Sequence, residues 1–201
     1  MEINIIKSDT KINDINKSKS FIQRKVILEQ LKNELYKEEK KLEKEKEILD
    51  KNLYDAVEKN DYEKVKKYLK EGANIEINYY CNLTPLWNAA SNGNKKMVEL
   101  LIKNNANINV KSSMGWTPVN MATNLGHLEV VRILIANKAD LNVPNNYNET
   151  ALFNAVKKEN KELENLLINN GAKLSLIEMP RWYKKNMFGD FVRIYLKQIV
   201  N

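Results

Sequence analysis

Thr84-Pro85-Leu86-Trp87-Asn88-Ala89-Ala90-Ser91-Asn92-Gly93 opens the stretch that decides the fold, and Met97, Leu100, Leu101, Ile102, Asn104, Asn105 and Ala106 complete it. Thr84 is suited to cap a helix, its hydroxyl accepting from an orphan backbone N–H. Pro85 suits the first helical position, where a missing N–H costs nothing. Leu86, Ala89 and Ala90 predict a short helix whose small residues let a neighbouring helix approach closely. Asn92-Gly93 breaks that helix. Met97, Leu100, Leu101 and Ile102 form the apolar side of a second helix. Asn104-Asn105-Ala106 closes it, Asn tolerating the left-handed backbone there. A looping stretch then leads to the next Thr.

The unit recurs. Thr84, Thr117 and Thr150 stand 33 residues apart, and the same step relates Leu86, Val119 and Leu152, then Ala89, Ala122 and Ala155. Leu101, Leu134 and Leu167 follow it, as do Ile102, Ile135 and Ile168, and Ala106, Ala139 and Ala172. One step back gives a fainter copy in Leu53, Ala56, Tyr68, Leu69, Ala73 and Ile75. A fixed period of this length is the signature of a stacked-repeat architecture.

These residues resemble the ankyrin repeat: a Thr-Pro-Leu opening, an Ala pair, a Gly126-His127 turn, and endings such as Asn105-Ala106-Asn107-Ile108-Asn109 and Lys138-Ala139-Asp140-Leu141-Asn142. The resemblance covers Leu53 to Leu176 and implies an all-α solenoid of helix-turn-helix units. The repeats are expected at about 51–82, 83–115, 116–148 and 149–180 within a domain spanning 51–180. Departures occur. The His that follows Thr-Pro-Leu in the family is replaced by Trp87, Asn120 and Phe153, which implies a weaker tie between adjacent loops. The last unit reads Thr150-Ala151-Leu152, and the first has Lys51-Asn52-Leu53 in place of Thr-Pro-Leu, as units that end a stack can.

The flanks read differently. Residues 1–20 are expected to be loosely attached. Residues 21–50 predict one long, charged, amphipathic helix without Gly or Pro. Phe21, Leu28, Leu35, Leu42 and Leu49 fall seven apart, a coiled-coil seam, but in the companion row Leu31 is followed by Glu38 and Glu45. Three readings stay open: a weak homodimer through the seam, packing against the first repeat, or a solvated helix supported by Glu–Lys pairs. In 181–201, Phe188, Phe191, Val192, Tyr195, Leu196 and Ile199 share one helical face, which predicts a C-terminal capping helix over the last repeat.

Chemistry is sparse. The sequence has no phosphate-cradling glycine loop, no His-Glu-x-x-His and no paired Cys spacing for a metal, so neither catalysis nor a cofactor is expected. The sole histidine, His127, sits at the family's Gly-His turn, where the resemblance implies a structural role. The sole cysteine, Cys81, cannot form an intramolecular disulfide and carries no partner signature. With 43% hydrophobic and 29% charged residues the chain reads as a soluble globular protein. No apolar run approaches a membrane span, and no secretory signal is present, so a cytoplasmic location is the expectation; signal-free secretion leaves no trace in a sequence.

The net charge of +7 is concentrated at one end. Residues 1–50 hold 12 basic and 11 acidic side chains, 51–180 hold 16 and 14, and 181–201 hold five against Asp190 alone. Arg181, Lys184, Lys185, Arg193 and Lys197 leave nucleic acid or an acidic partner as an alternative, though the excess is small for a nucleic-acid surface.

The function expected is the binding of another protein. In the family, partner contacts concentrate just before Thr-Pro-Leu and at the end of the first helix, on a concave face. Transferred position by position, these are Tyr80, Cys81, Leu83, Ser91 and Asn92; Ser113, Met114, Trp116, Asn124 and Leu125; and Asn146, Tyr147, Glu149, Lys157 and Lys158. Tyr80, Leu83, Met114, Trp116 and Tyr147 stand out, because aromatic side chains anchor interfaces and Met suits adaptable contacts. The opposing reading is that they lie back on their own repeats.

Overall fold

The computed structural model describes residues 21–79 and 81–174. All of its described elements are helices, apart from a single isolated bridge between Tyr79 and Leu83. The N-terminal expectation for 1–20, the capping helix and basic cluster of 181–201, and Tyr80 lie outside the described residues. The chain divides between Ile48 and Leu49 into two units.

Helix α1 runs from Phe21 to Glu58, past the end expected at Asp50. Nothing in Asp50-Lys51-Asn52 stops a helix, so the long helix and the first helix of the first repeat are continuous. In the first unit, Phe21, Leu28, Leu35 and Leu42 of the seam are all exposed, Phe21 at 82%. Leu49 differs: it packs, half-buried, against the core of the second unit.

The second unit stacks helix pairs. The end of α1 pairs with α2 (Tyr62–Lys70), α3 (Pro85–Ser91) with α4 (Lys95–Lys103), α5 (Pro118–Asn124) with α6 (Leu128–Ala136), and α7 (Ala151–Lys157) with α8 (Lys161–Asn169). Each short first helix starts where its threonine caps it. Thr84, Thr117 and Thr150 Oγ1 accept the backbone N–H of Trp87, Asn120 and Phe153, each at 3.3 Å, a bond typically worth about 1 kcal/mol per cap. A left-handed residue then reverses the chain: Asn60, Gly93, Gly126 or Glu159. The second helices open on Asp61, Asn94 and Asn160, whose side chains accept from Lys64, Met97 and Leu163 N–H. They close at Gly72, Asn105, Lys138 and Gly171, again left-handed.

Leu53, Leu86, Val119 and Leu152 are buried at matching positions, as are Ala56, Ala89, Ala122 and Ala155. The alanines hold successive first helices close, while Met97, Leu101, Leu134, Leu163 and Leu167 fill the space beside the second helices. Fully burying each large side chain contributes about 1.5–3 kcal/mol.

Polar side chains lock one unit to the next. Asn74, Asn107 and Asp140 each accept from the N–H two residues on, within their own loop. Glu76 Oε1 accepts from Asn107 N at 2.6 Å, Asn109 Oδ1 from Asp140 N at 2.9 Å and Asn142 Oδ1 from Lys173 N at 2.7 Å. At the first unit, Asn74 N instead donates to the buried Asp50 at 2.6 Å, from α1.

Candidate binding surface

Corresponding residues of successive units form rows at 33-residue steps. Cys81, Met114 and Tyr147 make the row at the loop tips, and all three are exposed, Met114 at 52% and Tyr147 at 59%. Asn92, Leu125 and Lys158 cap the C-terminal ends of α3, α5 and α7. They are exposed too, Leu125 at 48%. Between these rows, Leu83, Trp116 and Glu149 are half-buried. Among the described residues from Leu49 onward, the exposed large hydrophobic side chains are Met114, Leu125 and Tyr147. All three belong to the set that the sequence singled out.

The tips are held rather than loose. Ser113 N donates to Cys81 O at 2.7 Å, and Asn146 N to Met114 O at 3.0 Å, joining each tip to the next. Asn146 Nδ2 adds a bond to Ser113 O at 3.0 Å. The buried Asn145 accepts from both Tyr147 N and Glu149 N, at 2.8 and 2.9 Å, and so shapes the turn that presents Tyr147. Gly115 is buried beneath Asn146 with φ +78°, and a Cβ there would stand 2.5 Å from Asn146 Oδ1.

Ties between loops are present although the family histidine is replaced. Trp87 Nε1 donates to Trp116 O at 3.0 Å. Asn120 Nδ2 donates to Val143 O at 2.9 Å and, longer, to Glu149 O at 3.5 Å. An indole N–H and an amide N–H reach the carbonyls of the next loop, so the required donor survives although the residue type does not. Tyr54, which sequence reasoning missed, holds the same register in the first unit but contacts the next unit differently. Its hydroxyl hydrogen-bonds Asn88 of the next unit, and its ring meets Tyr79 edge-on at 5.1 Å. Burial pushes the Tyr54 phenol above its ordinary value; the Asn88 hydrogen bond opposes this and the Glu58 carboxylate reinforces it. The signal was its register with Trp87 and Asn120, which the missing Thr-Pro-Leu obscured.

Other members of the expected set are engaged locally. Trp116 is half-buried and its carbonyl takes the Trp87 bond, so less of its ring faces outward than at Tyr147. Glu149 and Lys157 pair with each other at 2.8 Å, and Lys157 Nζ lies 5.8 Å from the Phe153 ring centroid. Lys158 stays exposed. Ser91 O receives His127 Nε2 at 2.8 Å; a carbonyl can only accept, so this nitrogen carries the proton. His127 is thereby a bridge between units, and the Gly93 turn lies directly beneath its ring. Among the described residues, no group of three or more His, Cys, Asp or Glu could hold a metal ion.

A family model described as ankyrin repeats (three copies) matches residues 53–145 and, overlapping them, 105–178. The chain is an ankyrin-repeat protein. No curated protein matches it. Ankyrin repeats are generally protein–protein interaction modules, and among the described residues from Leu49 onward the loop tips and first-helix ends are where the large apolar side chains stand exposed. No helix among the described residues is long and apolar enough to cross a membrane.

Proposed function

We propose that this ankyrin protein binds another protein through its loop tips and first-helix ends, without catalysis, and that Met114, Tyr147 and Leu125 are the anchors. The observation that carries this is their exposure where the other large apolar side chains among the described residues from Leu49 onward are buried at least in part. The Met114 loop is hydrogen-bonded to the loops on either side of it, and Tyr147 N is held by Asn145 Oδ1 of its own loop. Rigid presentation limits the conformational cost of binding. Trp116 and Leu83 form the half-buried floor behind the anchors, and Lys158 supplies a cation at one rim. Glu149 and Lys157 satisfy each other and contribute shape more than charge.

Affinity capture with the wild type and with Met114→Ala/Tyr147→Ala tests the proposal. Each true anchor is worth roughly 2 kcal/mol, or about thirtyfold in Kd, so a specific partner should be lost by the variant while its helical circular dichroism persists. Equal retention of the partner by both proteins would sink the assignment of the face.

A second reading rests on α1. Phe21, Leu28, Leu35 and Leu42 are exposed along the first unit, which favours self-association through that seam, with Leu49 withdrawn into the repeats. Light scattering at high concentration decides it: a monomer mass that Leu28→Lys/Leu35→Lys leaves unchanged excludes the dimer.

A further inference from the structure

The seam of α1 carries a charge pattern that selects how a second copy lies on it. Leu28, Leu35 and Leu42 are exposed at seven-residue steps, and Leu31 is half-buried on the same stripe. With these three leucines as the first position of a heptad, the fourth position holds Leu31, Glu38 and Glu45. Two further positions flank the seam. The fifth holds Lys25, Lys32, Glu39 and Lys46, and the seventh holds Ile27, Glu34, Lys41 and Ile48. All of these except Ile27 are exposed. In a two-stranded coil such flanking side chains meet across the interface and set partner choice and orientation. Lys32 and Lys41 are loosely held within α1, approaching Glu29 and Glu45 only at 3.9 Å.

A parallel coil pairs each seventh position with the fifth position of the next heptad on the other strand. That sets Glu34 against Glu39 and Lys41 against Lys46, each twice by symmetry. An antiparallel coil pairs seventh with seventh and fifth with fifth. With Leu31 on Leu42 of the second copy, Glu34 then meets Lys41 and Lys32 meets Glu39, again each twice. Ile27 meets Ile48, and Lys25 against Lys46 is the like pair that this register keeps. Sliding the antiparallel copy by one heptad in one direction sets Glu34 and Lys32 each against itself. Sliding it in the other direction does the same to Lys41 and Glu39. Like charges set against each other disfavour an interface, so one orientation and one register stand apart from the rest.

We propose that α1 pairs with α1 of a second copy in antiparallel orientation, Leu31 on Leu42, flanked by Glu34–Lys41 and Lys32–Glu39 ion pairs. This pairing rests on self-association through the seam, to which it adds orientation and register, and it does not depend on the loop-tip surface. Glu38 and Glu45 then face Leu35 and Leu28 of the second copy. Charged side chains at seam positions fix register at a cost in stability, so the coil is a weak one. The two chains run on toward their repeats from opposite ends of the seam.

Sedimentation equilibrium of the full chain tests it, with circular dichroism as the check on helix content. The wild type is compared with Glu34→Lys, Glu34→Lys/Lys41→Glu and Leu28→Lys/Leu35→Lys. In the antiparallel coil Glu34→Lys turns two attractive pairs into repulsive ones, and the dimer dissociation constant should rise about tenfold. Adding Lys41→Glu restores opposite charges, and the constant should return to within about threefold of the wild type. A parallel coil answers with the opposite sign. There Glu34→Lys relieves the clash with Glu39 and tightens the dimer, and the double variant tightens it further. Tightening, or no response to either charge variant, in a dimer that Leu28→Lys/Leu35→Lys still dissociates would overturn the orientation and leave the seam standing. A chain that stays monomeric at high concentration, or a dimer that Leu28→Lys/Leu35→Lys leaves whole, would overturn both.

Discussion

Gly115→Ala is the most informative single change in the loop tips, because its cost can be assembled from the structure. Gly115 has φ +78°, where a Cβ costs about 1–2 kcal/mol. The added Cβ would also meet Asn146 Oδ1 at 2.5 Å, Asn146 N at 2.9 Å and Asn145 Cα at 3.1 Å. The amide oxygen can rotate away only by giving up the Asn146 Nδ2 bond to Ser113 O, and the backbone can retreat only by loosening Asn146 N from Met114 O. Each of these is worth about 1 kcal/mol, which brings the total to roughly 3–4 kcal/mol. Gly72→Ala is the control: its φ is +89°, but no atom lies within 4 Å of the added Cβ, so only the backbone part applies. Urea unfolding of both variants, followed by circular dichroism, should show Gly115→Ala the more destabilising by about 2 kcal/mol. A difference below about 0.5 kcal/mol would mean that the tips do not clasp one another, and the rigidity assigned to Met114 and Tyr147 would fall with it.

Trp87→Phe removes the indole donor to Trp116 O while keeping most of the ring; it should cost about 1 kcal/mol in urea unfolding, and an unchanged midpoint would show the tie to be idle. Lys138 holds φ +63° where the neighbouring units use Gly or Asn, so Lys138→Gly should raise stability by about 0.5–1 kcal/mol, a gain that thermal unfolding would detect. Burial raises the Tyr54 phenol above the usual value near 10. The folded state therefore holds this proton more tightly, a contribution fully present below about pH 10 and lost as pH rises through the folded value. Urea midpoints measured from pH 8 to pH 11 should fall more for the wild type than for Tyr54→Phe, and parallel slopes would contradict the buried hydroxyl.

What could be read in advance follows from how local each signal is. Thr84, Thr117 and Thr150 announce helix starts within three residues of themselves, so the helix pairs and their stacking order were legible. The end of the long helix was not, because the frame of the first repeat begins at Lys51 without any residue that interrupts a helix. The rows that carry the candidate surface were legible as register. Their exposure was not: whether Trp116 or Tyr147 faces outward depends on turns closed by Ser112 and Asn145, and on bonds from the neighbouring loop. The donors of the inter-loop ties were not legible, for a chemical reason. A rule written for histidine names a residue, whereas the fold asks only for an N–H donor at the right reach, which Trp87 and Asn120 both provide.

The loop ladder has a consequence for the length of the molecule. Each interior junction joins an acceptor at 76, 109 or 142 to a donor at 107, 140 or 173, always by the same translation. Such a head-to-tail junction does not terminate itself. In this ladder an interior unit carries no mark of its ordinal place, so an inserted duplicate of residues 116–148 would find ladder donors and acceptors waiting on both neighbours. Only the ends are individual: Asp50 stands in for a preceding loop at one, and Glu164 stands at the other where the earlier units carry Val65, Val98 and Val131. The ladder by itself thus sets no limit on the number of repeats.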